Sequence, residues 1–462
     1  MSTDTQPQQN HAALMKDVLR LSVPSILAQL TSTAMEYIDA TMVGSLGANA
    51  SAAIGLVSSS TWLMGGMCGA AATGFAVQVA HRIGAGQDGE ARNVLRQALA
   101  FSAVFGLLLA LVGTGISRRL PVWLGGAPEI VGDSAAYFFI FSCALPVLVF
   151  DNVACMVLQC SGDMRTPSVI SILMCVLDVV FNFFLIFPTR RVGGLLIPGA
   201  GLGVAGAALG STLSEVLCSA LALYAVCIRS PKLNLRVPGS WRLDAGIHLT
   251  AARIAIPAAF ERLILNFAQI AVTRIVAPLG TVAVAANSLA VTAESLCYMP
   301  GYGIGTAATT LVGLSVGAGD EETARRYGRI CTAMGAAIMG GAALVMCAIC
   351  PLVFRILTPD SAVRKLAAEV LRIVLFVEPL FGVSIVGAGA LRGAGDTLVP
   401  SLMNLGSIWV IRIGLALLLT PPLGLHGMWI AMAVELCVRG LLMLYRSRTT
   451  GYYAAAAAHE DG

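Results

Sequence analysis

Apolar residues run along this chain in long blocks, and the polar positions gather between the blocks. Twelve blocks reach the roughly 20 residues that a membrane-spanning helix needs. They cover 17–44, 51–80, 97–116, 130–156, 167–188, 202–228, 250–278, 284–316, 330–350, 365–391, 398–420 and 426–446. None keeps a period-2 alternation, and all are far longer than a membrane β-strand. The expected fold class is therefore an all-α polytopic membrane protein with twelve transmembrane helices. The main break in the pattern is 229–249, where Pro231, Pro238, Gly239 and several basic residues part the sixth block from the seventh.

The two halves repeat at a fixed offset of 233 residues. Arg20 and Pro24 return as Arg253 and Pro257, Leu46-Gly47 as Leu279-Gly280, and Thr73 as Thr306. Gly84-Ala85-Gly86 returns as Gly317-Ala318-Gly319, and Ala91-Arg92 with Arg96 as Ala324-Arg325 with Arg329. Pro146, Gly162-Asp163 and Pro167 match Pro379, Gly395-Asp396 and Pro400. A duplicated bundle of hydrophobic helices is the pattern of a solute carrier, whose related halves rock about a site. The expected division is an N-terminal tail over 1–16, a six-helix lobe over 17–228, a linker over 229–249, a second six-helix lobe over 250–447 and a tail over 448–462.

Composition agrees with a membrane protein. The chain is 57% hydrophobic and 12% charged, with mean hydropathy +0.82. A soluble domain of this size needs more charge to cover its surface. The net charge of +4 is too mild to suggest nucleic acid as a partner. With the N-terminus placed inside, the inner segments carry sixteen Lys and Arg and the outer loops seven. Both termini are thus expected in the cytoplasm. The first block lacks a basic leader and a cleavage site, so it reads as a retained helix.

The chemistry excludes several classes. The twelve cysteines lie in or beside the blocks, and Cys347 and Cys350 form a CxxC with no second pair and no nearby His, so neither disulfides nor a metal site is expected. No nucleophile motif and no P-loop is present, so the chain is not expected to be an enzyme, and pumping would draw on an ion gradient or an ATPase partner. No cofactor is expected beyond a coupling ion, H+ or Na+.

Charge at the bilayer centre costs about 2.5–3.5 kcal/mol on insertion scales, so each buried charge calls for a reason. Asp39 and Glu36 lie three residues apart on one face of the first block, an arrangement in which two carboxyls share a proton. The bland alternative is that either reaches the interface or pairs with a distant Arg. Asp178 and Asn182 form an i,i+4 pair in the fifth block with no base in that block, suited to an ion or substrate site or to interhelical packing. Glu261 follows Pro257 by one turn, where the proline loosens the helix. Glu294 and Glu378 are candidate cavity residues, or partners of Arg274 and Arg412. Asp151, Glu215 and Glu435 lean toward structural pairing. Pro24 and Pro257 are the candidate conformational residues.

The chain resembles the MATE (multidrug and toxic compound extrusion) family of the MOP superfamily, over about 15–447. The resemblance rests on Asp39-Ala-Thr-Met-Val-Gly44, Gly84-Ala-Gly86 with Ala91-Arg92, Gly162-Asp163, Pro257 with Glu261, Val276-Ala-Pro-Leu-Gly280, Gly317-Ala-Gly-Asp320 and Leu391-Arg-Gly-Ala-Gly-Asp-Thr397. It implies two six-helix lobes around a central cavity in a bacterial inner membrane. It also implies monomeric function and export of organic cations or amphipathic drugs against inward H+ or Na+, with membrane lipids as surroundings. Asp39 with Pro24 matches the family's N-lobe coupling acid and proline, and Glu261 matches an acid of the NorM-type branch. Two departures are visible: many members read Asn then Asp where this chain has Asp178 then Asn182, and the NorM-type acid of the tenth helix aligns with Phe381, leaving Glu378 one turn away. These departures favour protons through the N-terminal half. The alternative is a flippase for lipid-linked oligosaccharide, which would need a strongly cationic cavity.

Overall fold

The computed structural model describes residues 11–192 and 195–449. In the first half, α1 spans His11–Gly44, α2 Ala48–Gly84, α3 Asp88–Ile116, the one-turn α4 Leu120–Trp123, α5 Pro128–Cys160 and α6 Arg165–Ile186. A hairpin of β1 (Pro188–Val192) and β2 (Leu195–Ala200) leads into α7, Gly203–Tyr224, which continues as a π-helical turn over Ala225–Arg229. The second half holds α8 (Ala245–Val276), α9 (Thr281–Gly317), α10 (Glu321–Leu357), α11 (Ser361–Leu375) and α12 (Glu378–Gly393). It ends with α13 (Leu398–Gly406), a π-helical stretch Ser407–Ile413, α14 (Gly414–Leu423) and α15 (Leu425–Arg448).

Ten of these helical spans are long and apolar enough to cross a membrane, and α11 with α12 makes an eleventh across a 57° bend. Helix α1, 34 residues long, has the length but a more polar sequence, and completes the twelve-helix pattern.

Three departures from the sequence reading have physical causes. The tenth block is not one helix: it breaks before Glu378-Pro379, because proline at the second position of α12 cannot donate back into α11. Helix α10 starts well before the expected residue 330, because Asp320 caps the Thr323 amide at 2.9 Å and the pairs Glu321–Arg325 and Glu322–Arg326 line its first turns. The segment between the fifth and sixth blocks forms a hairpin, with Thr189 Oγ1 both donating to the Gly199 carbonyl (3.2 Å) and accepting its amide (3.1 Å). Of the two expected tails, 1–10 and 450–462 lie outside the described residues.

The repeated glycines have a backbone function. Gly47 and Gly280 stand at φ 116° and 95°, Gly86 and Gly319 at 72° and 71°, and Gly162 and Gly395 both at 94°. Side chains are strained there, so the same turn is built twice from the same residue. After each of the last two pairs the chain closes a 6→1 bond onto the helix it leaves: Gln87 to Arg82 O (2.8 Å) and Asp320 to Ser315 O (3.0 Å), then Asp163 to Leu158 O (3.1 Å) and Asp396 to Leu391 O (3.0 Å). Asp163 and Asp396 then accept the amides of Thr166 and Val399, each at 3.1 Å, and so start the next helix.

The chain forms two compact units whose borders fall inside helices. One unit runs Ala28–Phe267; the other joins the described residues up to Leu27 with those from Ala268 onward. The borders thus cut α1 and α8, whereas the sequence suggested the linker at 229–249. The linker is tied into the first unit: Arg92 Nε donates to Lys232 O (3.0 Å), Arg96 Nη2 to Val237 O (2.7 Å) and Gln97 Nε2 to Arg242 O (2.7 Å). In the other unit, the start of α1 is held against α9 and α10. A Cβ on Gly303 would lie 2.7 Å from the Ile26 backbone, and Tyr327 donates to Asp17 Oδ2 at 3.1 Å.

Candidate ion-coupling site

In the unit Ala28–Phe267, polar side chains from α1, α6 and α7 converge in an otherwise apolar bundle. Asn182 and Asp178 are fully buried. One turn apart on α6, they point to the same face. Asn182 Nδ2 donates to Asp178 Oδ2 at 3.0 Å and across to Asp39 Oδ1 of α1 at 2.9 Å. Ser214 of α7 donates to Asp178 Oδ1 at 3.3 Å and also back to Gly210 O at 2.7 Å. Asp39 is close enough to Asp178 for a carboxyl–carboxyl hydrogen bond, which needs one proton between the two. Gly210 matters here because a Cβ would collide with Asn182 Oδ1. That oxygen is buried and has no hydrogen-bond donor.

An apolar group closes one end of this cluster. Val43, Ala50, Ile186, Val204 and Ala207 pack together with the half-buried Tyr137, whose ring lies beside Asp39 and Asp178. Burial of Asp178 and Asn182 strengthens the electrostatic interactions in the cluster. Chemically, two acids on different helices joined through one amide form an arrangement able to hold a cation or a proton between them.

The other candidates sort between the two units. Glu36 is exposed on α1 and neighbours Asp39. Glu261 is buried in the part of α8 that belongs with Ala28–Phe267. Glu294 and Glu378 belong to the other unit. Pro24 lies in α1 before the unit border at Leu27, and Pro257 in α8 before the border at Phe267.

That second unit has its own charged cluster. Glu435 of α15 is fully buried; its Oε2 accepts from Arg412 (Nη2 2.6 Å, Nε 3.2 Å) and its Oε1 from Ser407 (2.9 Å), with Arg439 Nε 3.1 Å from Oε1. Arg412 and Ser407 both lie on the π-helical stretch, whose extra residue per turn redirects side chains. Arg439 also stacks over Phe381, 5.1 Å from the ring centroid. Glu294 is within electrostatic reach of both arginines. Glu378 neighbours Glu294, is fully buried, and has neither carboxyl oxygen hydrogen-bonded. Arg412, weighed from sequence as a partner for Glu294 or Glu378, is instead bound to Glu435.

Sequence alone paired Asp178 with Asn182 and singled out Asp39 by itself, and gave no sign that Asn182 reaches Asp39, 143 residues away. Ser214 and Tyr137 carried no local signal at all.

A family model, MatE, matches residues 24–184 and 257–418, so its two blocks begin on the repeated prolines Pro24 and Pro257. The chain is 26% identical to the "Probable multidrug resistance protein NorM" of Thermotoga maritima, over 95% of this chain and 93% of that one. It is 28% identical to the "Multidrug resistance protein PmpM" of Pseudomonas aeruginosa, over 94% and 91%. Its fold superposes on the outward-facing structure of a multidrug resistance MATE family transporter of the MOP superfamily, with TM-score 0.88 and 21% identity over 96% of each chain. It also superposes on a MOP superfamily transporter from Pyrococcus furiosus described as having reverse polarity of its binding pocket, with TM-score 0.87 and 20% identity over 96% of each. A match to both repeat blocks, over most of the chain, makes this polytopic membrane protein a member of the MATE family, a family of transporters and not of enzymes.

Proposed function

We propose that the chain exports organic cations or amphipathic drugs across a bacterial inner membrane, in exchange for protons entering the cell. The observation that carries this reading is the Asp39–Asn182–Asp178 cluster: two carboxyls from different helices, bridged by one amide and set among apolar groups. Asp39 and Asp178 hold the coupling proton between them, and Asn182 keeps their geometry when the proton leaves. The bases nearest in sequence lie outside these helical turns, so proton loss leaves net negative charge that favours either a new proton or a cationic cargo. The relatives named as multidrug resistance proteins support the cargo class.

Alternation requires the units to move, and Pro24 and Pro257 provide weak points in the two helices that pass from one unit to the other. Both termini lie in the cytoplasm by the distribution of Lys and Arg. Energetics set the stoichiometry. One charge moved through 100 mV is worth about 2.3 kcal/mol. A monovalent cation leaving for one entering proton moves no net charge, so its export would use the pH gradient alone.

The flippase reading gains no support: Arg412 and Arg439 of the other unit are engaged by Glu435. The test is export of a fluorescent organic cation from proteoliposomes under a pH gradient or a sodium gradient, imposed separately. Response to the pH gradient alone is expected. Response to sodium alone would replace H+ with Na+, and response to neither would overturn antiport.

A further inference from the structure

Below the coupling cluster lies a second pair of acids that the antiport reading does not use. Glu215 follows Ser214 on α7, and Asp151 faces it from α5. Glu215 is 6% exposed, its Oε1 has no hydrogen-bond partner, and the charged groups acting on it are Asp151 and Asp178. Asp151 receives, among the described residues, the weak thiol contacts of Cys155, with Sγ at 3.7 and 3.8 Å from its two oxygens. The remaining titratable neighbours are thiols, Cys68 of α2 and Cys218 of α7. Among the described residues no arginine or lysine acts on this pair, in contrast to Glu435 in the other unit.

Position along the helices gives the pair a direction. Measured from the end where α1 finishes at Gly44 and α6 at Ile186, Asp39 lies about 8 Å in and Asp178 about 12 Å in, at 1.5 Å per residue. Glu215, counted from Gly203, lies about 18 Å in, and Asp151 is about 14 Å from the opposite end of α5 at Cys160. The acids therefore descend in steps from the Asp39 end toward the end that carries Arg165 and Arg229. Ser214, bonded to Asp178 and adjacent to Glu215, spans the step between them. The pair is private to the first half, since the repeat places Ser384 opposite Asp151.

We propose that Glu215 and Asp151 form a second proton-holding site, the relay through which the proton leaves the Asp39–Asp178 pair toward the cytoplasm. The proposal rests on the antiport reading above. A proton dissociates from Asp39–Asp178, leaving a carboxylate there, and is shared between Glu215 and Asp151, neutralising one of them; release on the far side restores both carboxylates. Two acids this near, with no cation beside them, favour holding one proton jointly. The unbonded Oε1 of Glu215 is an open acceptor position for it.

The experiment uses the full chain in proteoliposomes loaded with ethidium, comparing wild type, Glu215→Gln, Asp151→Asn, their double variant and Asp39→Asn. Export driven by a pH gradient is expected to fall at least about tenfold in each single variant, a modest figure for losing a proton-transfer group. The double variant is expected to be no slower than either single one, because the pair acts as a unit. Ethidium binding and gradient-free exchange are expected to persist, and the infrared carbonyl band of a protonated carboxyl is expected to weaken in Glu215→Gln. If Glu215→Gln does not fold, Asp151→Asn alone decides by the same readings. Wild-type export in both single variants, with Asp39→Asn inactive, would overturn the relay and leave antiport standing. A wild-type protein indifferent to the pH gradient would overturn both.

Discussion

The amide nitrogen of Asn182 donates to Asp39 at 2.9 Å, tying α6 to α1 across the interior of one unit. The same nitrogen reaches Asp178 at 3.0 Å, so a single side chain sets the spacing of two acids. Hydrogen bonds to charged groups are worth about 1.5–3 kcal/mol each. Asn182→Ala is therefore expected to slow gradient-driven export by at least about tenfold, since 1.4 kcal/mol is a decade. Cation efflux from vesicles, normalised to the amount of inserted protein, measures this; an unchanged rate would mean that the amide does not organise the acids.

Two buried glutamates of the other unit, Glu435 and Glu378, should respond oppositely to neutralisation. Removing the charge of Glu435 leaves Arg412 and Arg439 without their common partner, and breaking a buried pair costs about 3–5 kcal/mol. Glu378 has no hydrogen bond to lose. Glu435→Gln is expected to lower the melting temperature of the detergent-purified protein markedly, and Glu378→Gln to leave it unchanged or raise it. Equal melting shifts would contradict the network described for Glu435.

The seat of α1 in the second unit depends on the absence of a side chain at Gly303. Gly303→Val is expected to destabilise the protein by about 1–3 kcal/mol through overpacking. Gly341→Ala, with nothing within 4 Å of its added Cβ, is the control and is expected to be neutral. Thermal melts of the two variants check the contrast.

Arg96 fastens the linker through Val237 O at 2.7 Å. Arg96→Ala should free that stretch and speed trypsin cleavage after Lys232, Arg236 or Arg242, visible as two half-length fragments. Cleavage at the wild-type rate would show that the remaining bonds from Arg92 and Gln97 suffice.

Features set by local chemistry could be read from the sequence. The repeated glycines mark turns at positive φ, and Gly-Asp at 162–163 and 395–396 marks a helix end followed by a cap. Features set by distant contacts could not. Nothing near Glu215 in the sequence announces Asp151 as its neighbour, and by sequence both acids lean toward structural pairing. The unit borders were hidden for the same reason: α1 and α8 are continuous apolar helices, and only packing assigns their two ends to different bodies. The break before Pro379 was signalled by the proline, yet Pro146, its repeat partner, sits inside an unbroken α5.

Coupled export requires Asp39 to carry the exchanged proton. The most direct measurement is proton entry, read with a pH-sensitive dye trapped in proteoliposomes, as a fluorescent organic cation is exported down its own gradient. Wild type is expected to acidify the lumen into which protons are exchanged in step with cation movement, and Asp39→Asn to move the cation, if at all, without any pH change. Proton movement in Asp39→Asn at the wild-type ratio to cation would contradict the account.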